Sequence, residues 1–177
     1  MADILTADPM PTLYVGAGSG RVPRWLLSNG IPCAAVDNSP DAIELMGRRG
    51  IPCELMDACA MTFADDSHER VILHSDGLMD SFEDPADCIA EAARVASSRV
   101  LVMGYEIDPA ATVPCTWGLT WQGQTVSDTY HAHPVAKIEA ILQAVGMVLV
   151  SRVMWSDDEA PEGGNYFGVQ YLIEARW

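Results

Sequence analysis

Basic residues are scarce in this chain. Its 177 residues include 10 Lys or Arg against 25 Asp or Glu, and Lys137 is the only lysine, so the formal net charge is −15. Binding to a nucleic-acid backbone needs a cationic surface, so a DNA or RNA partner is disfavoured. No stretch approaches the ~20 apolar residues of a membrane span, and no basic segment with an apolar run opens the chain. We therefore expect a soluble, cytoplasmic protein with no membrane and no nucleic-acid partner.

Paired cysteine motifs are also missing. The five cysteines are odd in number, and no two have the spacing C-x-x-C. Such a set predicts neither a structural metal site nor a disulfide framework. Free cysteine is among the most buried residue types, so we expect reduced thiols packed in the interior. With 49% hydrophobic residues, the chain has enough apolar material for one core, and residues 1–177 are predicted to form a single domain.

A ten-residue pattern occurs twice, as GIPCAAVDNS from Gly30 and as GIPCELMDAC from Gly50. In each copy a glycine suited to end a helix precedes a short apolar run. An aspartate follows the cysteine by four residues, at Asp37 and Asp57. Two successive parallel strands of this kind place two carboxylates at the same edge of a sheet.

Strand and helix signals alternate along the rest of the chain. Apolar runs predict strands, and helical periodicity with Pro or Ser at the start predicts helices that begin at residues 21, 40, 85 and 134. We expect an α/β fold with a Rossmann-like, doubly wound, seven-stranded and mainly parallel sheet. Its order is βα repeated five times and then an antiparallel terminal hairpin. The predicted strands are 12–15, 33–36, 53–56, 70–73, 100–103, 147–155 and 166–176.

One long segment, 106–133, shows no clear periodicity. Ordinary connections have about 4 to 6 residues, and longer ones are often binding loops or lids. We predict that 106–133 is an insertion that covers a substrate site. Either this segment closes the site alone or a second subunit helps, which makes a homodimer one alternative.

A glycine-rich stretch, YVGAGSGR, follows the first predicted strand. Glycines at Gly16, Gly18 and Gly20 allow a sharp turn and let a ligand approach the backbone. The fingerprint of nicotinamide cofactors is G-x-G-x-x-G or its alanine variant, and Arg21 stands where its last glycine would be. The spacing here is G-x-G-x-G, so a nicotinamide-dependent oxidoreductase is the less favoured alternative.

This spacing, with Asp37 after the second strand and Asp57 after the third, resembles the class I S-adenosylmethionine-dependent methyltransferase family over nearly the whole chain. The resemblance implies that S-adenosyl-L-methionine is the cofactor. It implies that the glycine loop packs against the methionine and ribose. The aspartates would accept hydrogen bonds from the ribose hydroxyls and the adenine. The cofactor-binding residues expected from it are Tyr14, Gly16, Ala17, Gly18, Gly20, Asp37, Asn38, Asp57, Ala58 and His74.

The chain departs from that family at Tyr14, where the family commonly has an acidic residue two places before the first glycine. Asp76 is a candidate substitute for binding the cofactor's amino group, and it is also a candidate catalytic residue. His131 and His133 are the candidate bases, since an unperturbed imidazole has a pKa of about 6.5. Packed or surface histidines are the alternative. With Asp128 they form a weak metal pattern, so we predict no metal.

The acceptor is expected to be a small molecule. Family members that methylate nucleic-acid amino groups carry [DN]-P-P-[YFW] after strand four, where this chain reads HSDG. A metabolite or natural product methylated on O, N or S is the favoured interpretation. A cofactor-binding or partner-binding subunit without catalytic activity is the alternative, because fold alone does not assign function.

Overall fold

A seven-stranded sheet forms the centre of the molecule. The computed structural model describes residues 2–74, 78–121, 124–156 and 169–177. Within these ranges no helix is long and apolar enough to cross a bilayer. The strands of the main sheet are β1 Thr12–Val15, β2 Cys33–Asp37, β3 Cys53–Leu55, β4 His68–Leu73, β5 Ala96–Glu106, β8 Val148–Ser156 and β9 Val169–Arg176. Two further strands, β6 Val113–Trp121 and β7 Gln124–Ala132, form a separate sheet.

The strand order confirms the predicted fold class. The main sheet has the order β3-β2-β1-β4-β5-β9-β8, and β9 runs antiparallel to β5 and β8 on either side of it. The repeated decapeptide places β2 and β3 side by side, with Asp37 opposite Leu55. The carboxyl ends of β1 to β4 therefore meet at one edge of the sheet, where open α/β sheets bind ligands.

Helices cover both faces of the main sheet. They are α1 Ala2–Ala7, α2 Arg21–Ser28, α3 Pro40–Arg48, α4 Ala86–Val95 and α5 Val135–Ala144. On one face the first three helices contribute Leu5, Leu26 and Met46 to a buried cluster that includes Tyr14. On the other face α4 and α5 pack on the cluster that includes Val15. Successive strand residues point to opposite faces, so Tyr14 and Val15 belong to different cores.

One prediction about the connections is wrong, and a second connection differs from its irregular sequence pattern. The predicted alternation of strands and helices does not hold after β3, because residues 56–67 contain no helix. The Arg94 guanidinium donates to the carbonyl oxygens of Met61 and Phe63 at 3.0 and 2.9 Å. These carbonyls therefore accept side-chain hydrogen bonds in place of the backbone hydrogen bonds of a helix. Segment 106–133 is also more regular than its sequence suggests, since it contains the antiparallel pair β6 and β7. The predicted turn of the terminal hairpin falls at 157–168, outside the described residues.

All five cysteines are free thiols, as expected. Cys33 and Cys88 are buried, and the other three are half-buried. Burial raises the pKa of the Cys33 thiol to about 12, against a smaller opposing effect of Arg70. The Cys33 thiol is therefore protonated at neutral pH, as a packing role requires.

Candidate functional site

Two cavities meet at Gly16, at the carboxyl edge of the main sheet. One, the Asp37 cavity, has a volume of about 250 Å³ and is lined by Val15, Gly16, Val36, Asp37, Asn38, Met56, Asp57, Ala58, Leu78, Ser81 and Phe82. The other, the Arg21 cavity, has a volume of about 240 Å³ and is lined by Tyr14, Gly16, Ala17, Gly18, Ser19, Arg21, Val22 and His74. The glycine loop between β1 and α2 thus separates them and contributes to both.

The backbone of the glycine loop is bonded to the neighbouring strand. The amides of Gly16 and Ala17 donate to the Val36 carbonyl oxygen at 2.9 and 3.2 Å. Gly16 has φ +70°, and a Cβ there would lie 2.6 Å from the Leu78 Cβ. Gly18 has φ +51° with no atom within 4 Å of such a Cβ, so it borders open space. The loop can therefore approach a ligand at Gly18 while Gly16 is held against protein.

Asp37 connects β2 to this loop. Its Oδ2 accepts a hydrogen bond from the Gly18 amide at 2.7 Å, and its Oδ1 accepts one from the Ser39 amide at 2.9 Å. A carboxylate has about four acceptor positions, so each oxygen keeps capacity for a further donor. Asp37 lines the cavity and is only half-buried. The two amides therefore orient the carboxylate without exhausting its acceptors.

Asp57 occupies the equivalent place after β3. Its Oδ1 accepts from the Cys59 amide at 2.9 Å, an interaction that forms a local turn and leaves the residue exposed at the rim of the Asp37 cavity. The apolar side chains that line the same cavity include Val36, Met56, Leu78 and Phe82. Carboxylates at the rim and apolar walls inside suit a flat, partly polar ligand.

Nine of the ten residues predicted to bind cofactor line the two cavities. Gly20, the residue that caps the start of α2, lines neither, because it is buried where a Cβ would lie 2.7 Å from side-chain atoms of Met46 and Ile51. His74 is 8% exposed, and its ring centroid lies 6.3 Å from that of Tyr14. Asp76 lies outside the described residues.

His131 and His133 lie near the Asp37 cavity but line neither cavity. His133 is 1% exposed; its Nε2 donates to the Met79 carbonyl oxygen at 2.9 Å, and its Nδ1 accepts from the Thr112 hydroxyl at 3.3 Å. Burial lowers the pKa of His133, and the carbonyl of Met79 opposes this effect. His131 Nδ1 donates to the Asp80 carbonyl oxygen at 3.3 Å. Both histidines therefore attach the end of β7 to the 3-10 helix Met79–Ser81.

Sequence reasoning missed several lining residues. Arg21 has a usable signal, since it directly follows the glycine loop. Leu78, Ser81 and Phe82 have none, because residues 78–82 lack periodicity and reach the cavity only through the packing of the 3-10 helix region against Gly16 and β7.

Residues 13–103 match a family model described as a methyltransferase domain. A search of curated proteins found no match. The matched range is slightly more than half of the chain. It runs from β1 through most of β5 and includes the strands whose carboxyl ends lie at the two cavities.

Solved structures of other proteins share the fold. A SAM-dependent methyltransferase from Methanosarcina mazei superposes with a TM-score of 0.75 at 15% identity, over 96% of this chain and 92% of that one. The 1,6-didemethyltoxoflavin-N1-methyltransferase of Burkholderia thailandensis, with bound S-adenosylhomocysteine, gives 0.71 at 17% identity, over 99% and 75%. Magnesium protoporphyrin IX methyltransferase from Synechocystis, with bound SAM, gives 0.68 at 14%, over 99% and 73%. At these identities the likeness shows the fold.

Proposed function

The chain belongs to the class I S-adenosylmethionine-dependent methyltransferase family, and we propose that it methylates a small-molecule acceptor, a metabolite or natural product, on O, N or S. One observation carries the site assignment. The two cavities meet at Gly16 of a G-x-G-x-G loop, and the oriented carboxylate of Asp37 lies beside that loop. The lining residues fit an adenosine on one side of the loop and an amino-acid chain on the other.

The Asp37 cavity is the proposed nucleoside site. The remaining acceptor positions of Asp37 can take the two donors of a ribose diol. Asp57 at the same rim can accept from the exocyclic amine of adenine, as its place after β3 predicts. Val36, Met56, Leu78 and Phe82 offer apolar surface to the faces of the base. Asn38 and Ala58 complete the rim.

The bound cofactor supplies an electrophilic methyl group on a sulfonium. The protein's part is to align the acceptor and exclude water, which can provide much of the acceleration. A base is needed only for an acceptor that must lose a proton. His131 is the better placed of the two candidate histidines: its Nδ1 donates to a carbonyl, so in the neutral ring Nε2 carries the lone pair. His133 has both ring nitrogens bonded to protein.

The assignment of a small acceptor has three supports. The net charge of −15 opposes a polyanionic substrate. The sequence HSDG replaces the motif of nucleic-acid amino-methyltransferases. Two proteins of the same fold are named for methylating a toxoflavin precursor and a porphyrin. In this proposal 106–133 is the acceptor-site insertion of a single domain, and its hairpin β6–β7 is the cover.

Titration calorimetry with S-adenosylmethionine and S-adenosylhomocysteine tests the site. Asp37→Asn keeps the side-chain shape but removes the charge, and Asp57→Ala removes the second acceptor. We expect each to weaken binding by about 1 to 3 kcal/mol. Asp41→Asn is the matched control, because Asp41 is exposed on the first turn of α3 and lines neither cavity.

Absence of binding to the unmodified protein would refute the cofactor assignment. Binding should then be followed by mass spectrometry of an acceptor panel incubated with S-adenosylmethionine. A product heavier by one methyl group identifies the acceptor. Tight binding without turnover of any acceptor would favour the alternative of a non-catalytic subunit.

A further inference from the structure

Among the described residues, Tyr171 has the one buried side-chain oxygen or nitrogen with no hydrogen-bond partner. The residue lies in β9 and is 0% exposed. Burial, with a smaller effect of the Glu106 carboxylate, raises the pKa of its phenol, so the hydroxyl keeps its proton at neutral pH. Buried polar groups nearly always have partners, and an unpaired hydroxyl is destabilising. A phenylalanine would fill the same space without this cost, so the hydroxyl needs another explanation.

Gly104 gives this phenol its place. The two residues are directly opposite each other in the ladder of β5 and β9. A Cβ at residue 104 would overlap the hydroxyl oxygen and the ring of Tyr171, so the phenol lies here only because the opposite residue has no side chain. Glycine weakens a strand interior, where it often marks the close approach of a ligand or backbone. Two locally unfavourable choices at one point are typical of a functional site.

The phenol hydroxyl lies at the edge of the sheet that holds the proposed cofactor site. Val15, Leu73 and Val102 are side by side in β1, β4 and β5. Gly16 and Gly104 come one and two residues later, so about 10 Å separates them across two strand spacings. A small acceptor that contacts the hydroxyl is therefore within reach of a methyl donor bound at the glycine loop.

Residues near the Asp37 cavity share the core that buries this phenol. Leu78 lines that cavity and belongs to the same buried cluster as Tyr171 and Met79. The 3-10 helix Met79–Ser81 contacts both β5 and β7, the second strand of the hairpin. Movement of this short helix together with the hairpin would open a path from the Asp37 cavity to the hydroxyl.

Glu106 determines which ligands suit the hydroxyl. It lies two residues beyond Gly104 on the same face of β5, and its Oε2 accepts a hydrogen bond from the Val135 amide at 2.7 Å. This nearby negative charge disfavours an anionic ligand and favours the protonated phenol, which acts as a donor. A neutral oxygen or nitrogen acceptor, such as a carbonyl or a ring nitrogen, fits both requirements.

We propose that the Tyr171 hydroxyl donates a hydrogen bond to a neutral oxygen or nitrogen of the methyl acceptor and thereby positions it toward the cofactor. This assignment rests on the proposed function. It makes Tyr171 a substrate-binding residue beneath the hairpin, and it favours acceptors that carry a carbonyl or ring nitrogen beside the group that is methylated.

Tyr171→Phe tests the proposal, since it removes only the oxygen. The urea midpoint should rise, because an unpaired buried hydroxyl is lost, and S-adenosylhomocysteine affinity should stay within about twofold. The acceptor panel should pair hydroxyquinolines with naphthols and aminoquinolines with naphthylamines, so that each pair differs only in the ring nitrogen. The unmodified protein should prefer the quinolines. In Tyr171→Phe their KM should rise roughly 5- to 10-fold with less change in kcat, and the values for the carbocyclic compounds should not change.

Calorimetric binding of the same pairs to the S-adenosylhomocysteine complex gives a second readout that needs no turnover, and the same preference is expected. Equal affinity for both members of each pair would overturn the assignment.

Tyr105→Phe is the matched control, because Tyr105 is the next residue of β5, is half-buried and points to the opposite face. Neither its urea midpoint nor its quinoline preference should rise. A lower urea midpoint in Tyr171→Phe would show that the hydroxyl has a partner within the protein and would overturn the assignment. An unchanged quinoline preference in Tyr171→Phe would do the same. Both results leave the proposed function intact, whereas failure of S-adenosylhomocysteine to bind the unmodified protein would refute the proposed function itself.

Discussion

Gly16, Gly18 and Gly20 all have left-handed φ values, yet a side chain at each would meet different surroundings. Gly16 abuts Leu78, Gly18 borders open space in the Arg21 cavity, and Gly20 abuts Met46 and Ile51 in the core. The G-x-G-x-G spacing therefore serves packing at two positions and leaves the one between them open to a cavity. The sequence pattern alone assigned all three to the cofactor.

Gly20→Ala should destabilise the fold by about 2 to 4 kcal/mol, because the new methyl group collides with Met46 and Ile51 at a strained φ. Gly30→Ala is a matched control, since Gly30 shares the φ of +74° and has no atom within 4 Å of a Cβ. It should lose only about 1 kcal/mol. Urea unfolding measures both. Equal losses of unfolding free energy in the two variants would show that Met46 and Ile51 move aside for the new methyl group without a cost in stability.

His133 illustrates how burial changes the meaning of a titratable residue. As a sequence feature, H-x-H in a long segment predicts a base. In the structure its two ring nitrogens join Met79 to Thr112, and the lowered pKa favours the neutral ring. A catalytic role for His133 stays a prediction, while its hydrogen bonds hold the end of β7 against Met79 and Thr112.

Lowering the pH should remove stability that depends on His133. Burial holds the folded-state pKa of His133 below the ordinary imidazole pKa of about 6.5, so as the pH falls the unfolded chain takes up a proton first. The contribution of neutral His133 to the free energy of unfolding is complete above about pH 6.5. It is lost as the pH falls through the folded-state pKa, with a slope of at most about 1.4 kcal/mol per pH unit. Urea unfolding of the protein and of His133→Gln at pH 7.5 and 5.5 measures it. The stability difference between them should shrink at pH 5.5; a constant difference would contradict the assignment.

At the scale of elements, the hairpin β6–β7 is separate from the main sheet. Its base is attached by His133 and by Lys137, whose Nζ donates to the Thr112 hydroxyl at 3.2 Å and lies 3.4 Å from an oxygen of Asp84. Of the hairpin residues whose side chains are described, at 113–115 and 129–132, none lines the Asp37 or the Arg21 cavity. This arrangement suits the proposed role of the hairpin as a cover for the acceptor, beside a proposed cofactor site formed by the glycine loop and the main sheet.

Shortening this hairpin should separate cofactor binding from methyl transfer. Thr116 and Thr129 are opposite each other in the ladder, so replacing 117–128 by Asn-Gly closes a tight turn in register. We expect S-adenosylhomocysteine affinity to stay within about twofold, because both cavities are intact, and turnover of the identified acceptor to fall roughly tenfold or more. Calorimetry and product mass spectrometry measure the two effects. Full turnover after shortening would exclude the hairpin as a cover, and lost binding would show that it supports the cofactor site.

At the scale of the whole molecule, the sheet order brings distant residues to one edge. Asp37, Asp57 and the glycine loop follow three different strands, yet β3, β2 and β1 are adjacent and parallel, so these residues meet. The sequence predicted this meeting because each strand-helix unit has a local signal: an apolar run, a helix start, and a glycine or aspartate between them. The same reasoning predicted the fold class and the antiparallel end of the sheet.

Other features had no local signal. The hairpin within 106–133 has only a weak alternation of apolar and polar residues. The segment after β3 contains no helix, and the carbonyl oxygen of Met61 there accepts a hydrogen bond from Arg94, which is more than thirty residues away in the chain. Contacts of this kind depend on which segments become neighbours, and single-sequence patterns do not encode such pairs. The sequence also assigned Gly20 to the site, since its role in packing is visible only with Met46 and Ile51 in place.

The sequence by itself determined the α/β fold class, the family resemblance and the two aspartates that line the Asp37 cavity, because periodicity, glycine spacing and strand-end residues act over a few neighbouring positions. Only the tertiary structure decided that Phe82 and Leu78 form a wall of the Asp37 cavity, that Arg21 faces a cavity of its own beside Tyr14, and that His133 is buried. The physical reason is that burial and cavity lining depend on long-range packing, which places side chains together regardless of their separation along the chain.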